Sequence, residues 1–419
     1  MTPAMESQPT SSVPLSGAER ALAIRLSVMM LLEFVVFGSW FATLGLVLAT
    51  HGADTIIGQA YFLSAIAAIL SPLFMGAVGD RYLAPRNLMA LLHGAGGLAI
   101  AAVPAAMAAG NHELTLTLIF VHMLFFMPTL GLVNAIALAQ LGRQERMFPY
   151  VRVFGPLGWV LAGLVVGGFG LSAAKGVFYV AAASSAVLAL YSLTLPYSPP
   201  PSAGARISFG DIIGARALVL FRDRRFAVLM GCSLLTSISL GIYNAFASPF
   251  LGDLGFENVA GVLALGQISE VLFIVTIPWV LARIGRKRAL LIGMAMWGVR
   301  FLLFILAANG TPGAAVIGVA LHGICNDYFI VIAAMLIARI AAPELAAQAQ
   351  SWLILMISGF GAAIGSAVSG AIYGAEIAPH LAEGTSVWTS LWVLPVGLAV
   401  VTSLIWFFLY PRRAATDME

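Results

Sequence analysis

Apolar runs of roughly the length of a membrane crossing recur along the chain, separated by short polar connections. A helix needs about 20 mostly apolar residues to span a bilayer. Runs of that size fall near 26–49, 57–79, 87–109, 115–140, 150–171 and 175–196. A second set follows near 226–251, 259–282, 288–308, 313–340, 346–374 and 386–410. The pattern predicts an all-α membrane protein of twelve transmembrane helices in two halves, 26–196 and 226–410. Residues 1–25, polar and proline-containing at the start, and 411–419 read as tails. Residues 197–225 carry a proline cluster around Pro199 and then apolar residues at helical spacing over 208–221, which predicts a linker with one amphipathic helix lying at the interface.

Composition agrees with this pattern. Of the 419 residues 61% are hydrophobic and 9% charged, whereas a soluble domain carries about 25% charged residues. A soluble globular protein is excluded, and twelve spans leave no length for a sizeable aqueous domain. The net charge of +3 does not point to nucleic acid, because the basic residues mark membrane orientation. Of 21 Lys and Arg, Arg152 and Arg300 fall inside spans and Lys175 between spans five and six. The other 18 lie in the tails or the even-numbered connections, which puts both termini and the linker in the cytoplasm. Cys232 and Cys325 lie in apolar runs and read as packing residues.

Six plus six spans joined by a cytoplasmic linker is the organisation of the major facilitator superfamily. The connection after span two, GAVGDRYLAPR (76–86), resembles that superfamily's loop signature, and ARIGRKR (282–288) stands at the matching place in the second half. Asp80 is the only acid of the first loop, beside Arg81 and Arg86, and these three are expected to act as cytoplasmic gating charges. Spans five and eleven are glycine-rich, which permits close helix contact and sliding.

Ionisable side chains deep in a span are costly, so each is a functional candidate. They are Glu33, Arg152, Glu270, Arg300 and Asp327, with His93, His122 and His322 behind them. Gln267 and Glu270, three residues apart, share one helix face, where they suit either a polar ligand or a helix–helix hydrogen bond. Asp327, beside Asn326, reads as a proton carrier or a permanently paired acid. Arg152 and Trp159, seven apart, fall on one stripe and offer a guanidinium and an indole to a planar ligand, unless the arginine snorkels to the interface. Asn244 sits mid-way along span seven, the cavity-facing helix of this architecture. Arg300 on span nine is expected to be structural. For Glu33 a site role and a pairing role both stay open.

Seven strings together resemble one family, the bacterial nucleoside:proton symporters. They are FGSWFATLGL (37–46), MPTLGLVNAI (127–136), VRVFGPLGW (151–159), QISEVLFIVTIP (267–278), WGVRFLLF (297–304), CNDYF (325–329) and SGFGAAIGSAVSG (358–370). The resemblance implies proton-coupled uptake of a nucleoside across the inner membrane. It further implies ligand contacts from Arg152, Trp159, Asn244, Gln267, Glu270, His322 and Asn326, with Glu270 and Asp327 coupling the proton. The chain departs from the family pattern at Pro156 and Gly241, where a threonine and a glutamine are usual, and at His322 and Asn326, where a tyrosine and a phenylalanine are usual.

Other classes fit less well. Neither an H-E-x-x-H zinc site nor a G-x-S-x-G elbow is present, and Asp327 is the only aspartate deep in a span. Neither enzyme nor cofactor is expected. A channel filter is not visible, and within transport the alternative is a carrier or exporter of another small polar metabolite or drug. The expected partners are a nucleoside, a proton and the lipid bilayer, with the chain acting as a monomer.

Overall fold

The computed structural model describes residues 16–200 and 215–411, and within them the side chains of all but residues 72–81, 143 and 145. Eleven helical segments among these residues are long and apolar enough to cross a membrane, and a shorter apolar helix stands eighth in order. The first half comprises Gly17–Gly38, Asp54–Ser71, Pro85–Ala108, His112–Leu141, Phe148–Gly168 and Gly176–Thr194. The second comprises Arg224–Asp253, Val259–Ile274, Ile277–Ala308, Gly313–Ile340, Pro343–Glu383 and Thr385–Leu409.

One boundary differs from the sequence reading, for a local reason. Span one starts at Gly17, inside the expected tail, because Ser16 and Glu19 form a reciprocal capping box ahead of the apolar run. Span eight runs past a break at Val275 and Thr276 into the helix recorded as Ile277–Ala308, whose interior Gly285 has φ 73° and ψ 166°. Glycine adopts that backbone without a Cβ penalty, so Gly285 is where span eight ends and span nine begins. The turn falls inside the basic ARIGRKR connection. Of the linker, 201–214 lies outside the described residues, so the amphipathic helix expected over 208–221 is described only at its end. There Ala215–Arg222 forms a tight 3-10 turn, docked on span eleven by Ala217 N–H donating to Gln348 Oε1 at 3.2 Å.

The halves touch mainly at the end of the bundle that carries the odd-numbered connections. A Cβ on Gly58 of span two would stand 2.6 Å from Gly370 Cα of span eleven, and one on Gly163 of span five 3.0 Å from Ala264 Cβ of span eight. Leu46 N–H donates to Ser248 Oγ at 3.2 Å and Ala260 N–H to Ser172 Oγ at 3.1 Å, both across the halves. Exchanging the halves maps the two–eleven contact onto the eight–five contact, as a twofold along the membrane normal requires. One apolar core, including Trp40, Val47, Phe250 and Trp392, joins both halves at this end. Toward the linker end the core divides into one cluster in each half. A cleft between the halves follows from that division.

Candidate functional site

A cavity of about 260 Å³ lies between the halves. Spans one, two and five supply an aromatic wall. Phe37 meets Trp159 edge-on with ring centres 5.0 Å apart, and Phe41 meets Tyr61 at 5.0 Å. Trp159 keeps its position because Gly38 leaves no Cβ, which would lie about 3.0 Å from the tryptophan backbone. Spans seven, eight, ten and eleven supply the polar side with Asn244, Gln267, His322, Asn326 and Ser358.

Behind that polar side lies a continuous array. Arg300, fully buried on span nine, lays its guanidinium over the Tyr243 ring at 3.5 Å and donates to His322 Nδ1 at 2.7 Å. Arginine only donates, so Nδ1 accepts, while Nε2 stands 2.9 Å from the Asn326 amide nitrogen. Nε2 lies 3.4 Å from Glu270 Oε1, and Asn326 Nδ2 donates to the same oxygen at 2.6 Å. Glu270 thus accepts from Asn326 and lies beside His322, both of span ten, and His322 is held by a buried cation. Asp327, 5% exposed, opens a π-helical turn over Asp327–Val331, and its Oδ2 has no hydrogen-bond partner. A π turn re-aims side chains within an otherwise regular helix and recurs at functional sites.

Of the residues singled out in the sequence, Trp159, Asn244, Gln267, His322 and Asn326 line one cavity. Glu270 and Asp327 are not in the lining but are electrostatic neighbours of each other behind it. Arg152 is not in the lining either. Seven residues of helix set it about 10 Å from Trp159 along the axis, and its guanidinium packs over the Phe34 ring at 4.8 Å. Arg300 was expected to serve packing alone, yet it touches Tyr243 and His322, both of which line the cavity. Asp80 and Arg81 fall among side chains outside the described set. Arg86 is tied within its own half, donating to Leu195 O at 2.7 Å and stacking on Tyr197. The sequence reading missed the aromatic wall of Phe37, Phe41, Tyr61 and Tyr243.

Twelve helices in two twofold-related halves around a central, partly polar cavity define a transporter of the major facilitator class. The family model of the nucleoside H+ symporters matches residues 20–415. The chain is 34% identical over 352 residues to the putative nucleoside transporter YegT of Escherichia coli (strain K12), covering 81% of this chain and 82% of that one. It is 31% identical over 366 residues to the nucleoside permease NupG of the same organism, covering 82% and 86%. The crystal structure of NupG superposes with a TM-score of 0.82 at 29% identity, over 94% of this chain and 100% of that one. The chain belongs to the nucleoside H+ symporter family. It is a membrane transporter, not an enzyme, and couples nucleoside uptake to protons.

Proposed function

We propose that a nucleoside binds in the central cavity, with Asn244, Gln267, His322 and Asn326 bonding its hydroxyls and base edge and Trp159 stacking on the base. A nucleoside is neutral, so its affinity comes from hydrogen bonds and stacking rather than ion pairing, and one polar wall facing one aromatic wall suits that need. The observation that carries the reading is this apposition in a single cavity. Glu270 and Asp327 hold the coupling proton, and Arg152, the positive neighbour of Glu270 from the first half, attends the carboxylate rather than the ligand. Asp80, Arg81 and Arg86 serve as cytoplasmic gating charges. Transport runs inward across the inner membrane, with both termini and the linker cytoplasmic and a single chain in the lipid bilayer as the working unit.

Counterflow of radiolabelled uridine in proteoliposomes tests the assignment. Uridine inside the vesicles should drive entry of labelled uridine, and Asn244→Ala or Gln267→Ala should reduce that entry. Counterflow indifferent to both substitutions would move the binding site elsewhere.

A further inference from the structure

The proposed coupling uses carboxylates of the second half, yet the first half buries a carboxylate of its own. Glu33 on span one is fully buried. Its Oε2 lies 2.9 Å from His93 Nε2 on span three, and its Oε1 2.6 Å from Thr129 Oγ1 on span four. Thr129 Oγ1 is also 2.6 Å from the Phe126 carbonyl oxygen.

The hydrogens can be counted. A carbonyl and a carboxylate only accept, and a hydroxyl carries one proton. Two oxygen–oxygen contacts of 2.6 Å lie at the short end of the O–H···O range and call for a hydrogen in each. Thr129 supplies one. A proton on Glu33 Oε1 would supply the other, donating to Thr129 while Thr129 donates to Phe126 and His93 Nε2–H to Oε2. When the proton leaves, the Thr129 hydroxyl turns from the Phe126 carbonyl to the carboxylate and Glu33 keeps both partners. The two protonation states of this pocket differ by one hydroxyl rotation.

The pocket also adjoins residues of the cavity wall. Phe126 and Thr129 flank the break in span four, where Met127 and Leu130 line the cavity. Phe126 packs on Phe37 with ring centres 4.8 Å apart. Other titratable groups facing Glu33 are few. Span three brings His93 and span four His122, whose Nδ1 bonds the Gly96 carbonyl at 2.8 Å. Span five brings Arg152, whose acidic neighbours are Glu270 in the second half and Glu33 in the first. One guanidinium, packed on Phe34, thus stands in the field of two acids from opposite halves.

We infer that Glu33, seated between His93 and Thr129, is a second proton-binding site of the transporter, loaded and emptied once per cycle. The inference rests on the proton-coupled reading above. Alternating access supplies the exchange: the carboxylate takes its proton from one aqueous side and gives it up to the other, while Arg152 is drawn toward whichever of Glu33 and Glu270 is ionised.

The test is the number of protons moved per nucleoside, read in proteoliposomes from a pH-sensitive dye together with labelled uridine. Wild type should move two and Glu33→Gln one. Thr129→Val, which removes the hydroxyl that serves both protonation states, should shift the pH of half-maximal uptake. Should Glu33→Gln fail to insert, infrared difference spectra of wild type recorded across a pH titration should contain a carboxylic-acid band that Thr129→Val displaces. An unchanged proton ratio and pH profile in Glu33→Gln, or the absence of a band sensitive to Thr129→Val, overturns the inference. Failure of the underlying reading is distinguishable, because it appears as uridine accumulation in wild type that a protonophore leaves unchanged.

Discussion

Single side chains set the affinity of a neutral ligand, because each hydrogen bond lost leaves a partner unpaired in a water-poor cavity. Gln267→Ala and Asn244→Ala should each weaken uridine binding by about 1–3 kcal/mol. Calorimetry of purified protein checks this, and unaltered affinity in both would remove them from the site. Arg300 lies one layer back, where its flat guanidinium both stacks on Tyr243 and fixes His322. Lysine keeps the charge but not the planar fork. Arg300→Lys should therefore lose about 2 kcal/mol of stability, read from the denaturation midpoint, and should also weaken uridine binding through the loosened His322. Normal binding at lowered stability would restrict Arg300 to packing. Asn244, Gln267, His322 and Asn326 were legible in the sequence because a polar side chain in lipid has a cost that needs a reason, whereas Ser358 was not singled out. The aromatic wall was not legible either. Phe37 or Tyr243 in an apolar helix reads the same whether it faces a ligand or a neighbouring helix, and only the packed structure separates the two. Arg152 was misplaced for a related reason: helical spacing locates its Cα on a stripe, while a long side chain chooses its own direction.

Helices were the most legible elements, since a crossing leaves a run of apolar residues that nothing else in the chain imitates. Their ends were less so. The capping box at Ser16 and Glu19 extends span one beyond its apolar run, and the turn at Gly285 depends on one backbone torsion. Of the glycine-rich spans five and eleven, Gly163 and Gly370 approach the other half closely, Gly370 against Gly58 of span two with no room for a Cβ. A larger residue at Gly58 must push spans two and eleven apart. Gly58→Leu should therefore destabilise the arrangement in which that end is closed and shift the population toward its opposite. A cysteine placed at the cavity-lining Ser358 reports the shift, since the native Cys232 and Cys325 are both fully buried and leave a low background. Labelling by a membrane-impermeant thiol reagent from the odd-connection side should rise in Gly58→Leu. Equal labelling with and without the substitution would mean that the glycine contact is not a gate.

The whole molecule has to convert a proton gradient into movement of a neutral solute, and its architecture restricts how. The halves share one apolar core at one end and separate into two at the other, so rocking one half on the other opens the cavity to one side at a time. The solute contributes no charge, so the charge that responds to the gradient has to belong to the protein and change with protonation. The acids best placed for this are Glu270, bonded to Asn326 at 2.6 Å and beside His322, and Asp327, whose Oδ2 is buried without a partner. Glu270 is held by span ten in the arrangement described, whereas Asp327 has an oxygen free to accept a proton. Asp327→Asn, which fixes that side chain in a neutral form, should sharply reduce accumulation driven by an inward proton gradient, leaving what the proton on Glu33 supports, whereas a protonophore should collapse it altogether in wild type. Exchange of labelled for unlabelled uridine should survive, because each half-turnover then carries the loaded cavity across without requiring proton release. The two assays run on the same vesicles, so a folding defect, which would silence both, is separated from uncoupling, which lowers only the first. Full gradient-driven accumulation in Asp327→Asn would transfer the coupling role to another carboxylate and leave Asp327 as a structural acid of span ten.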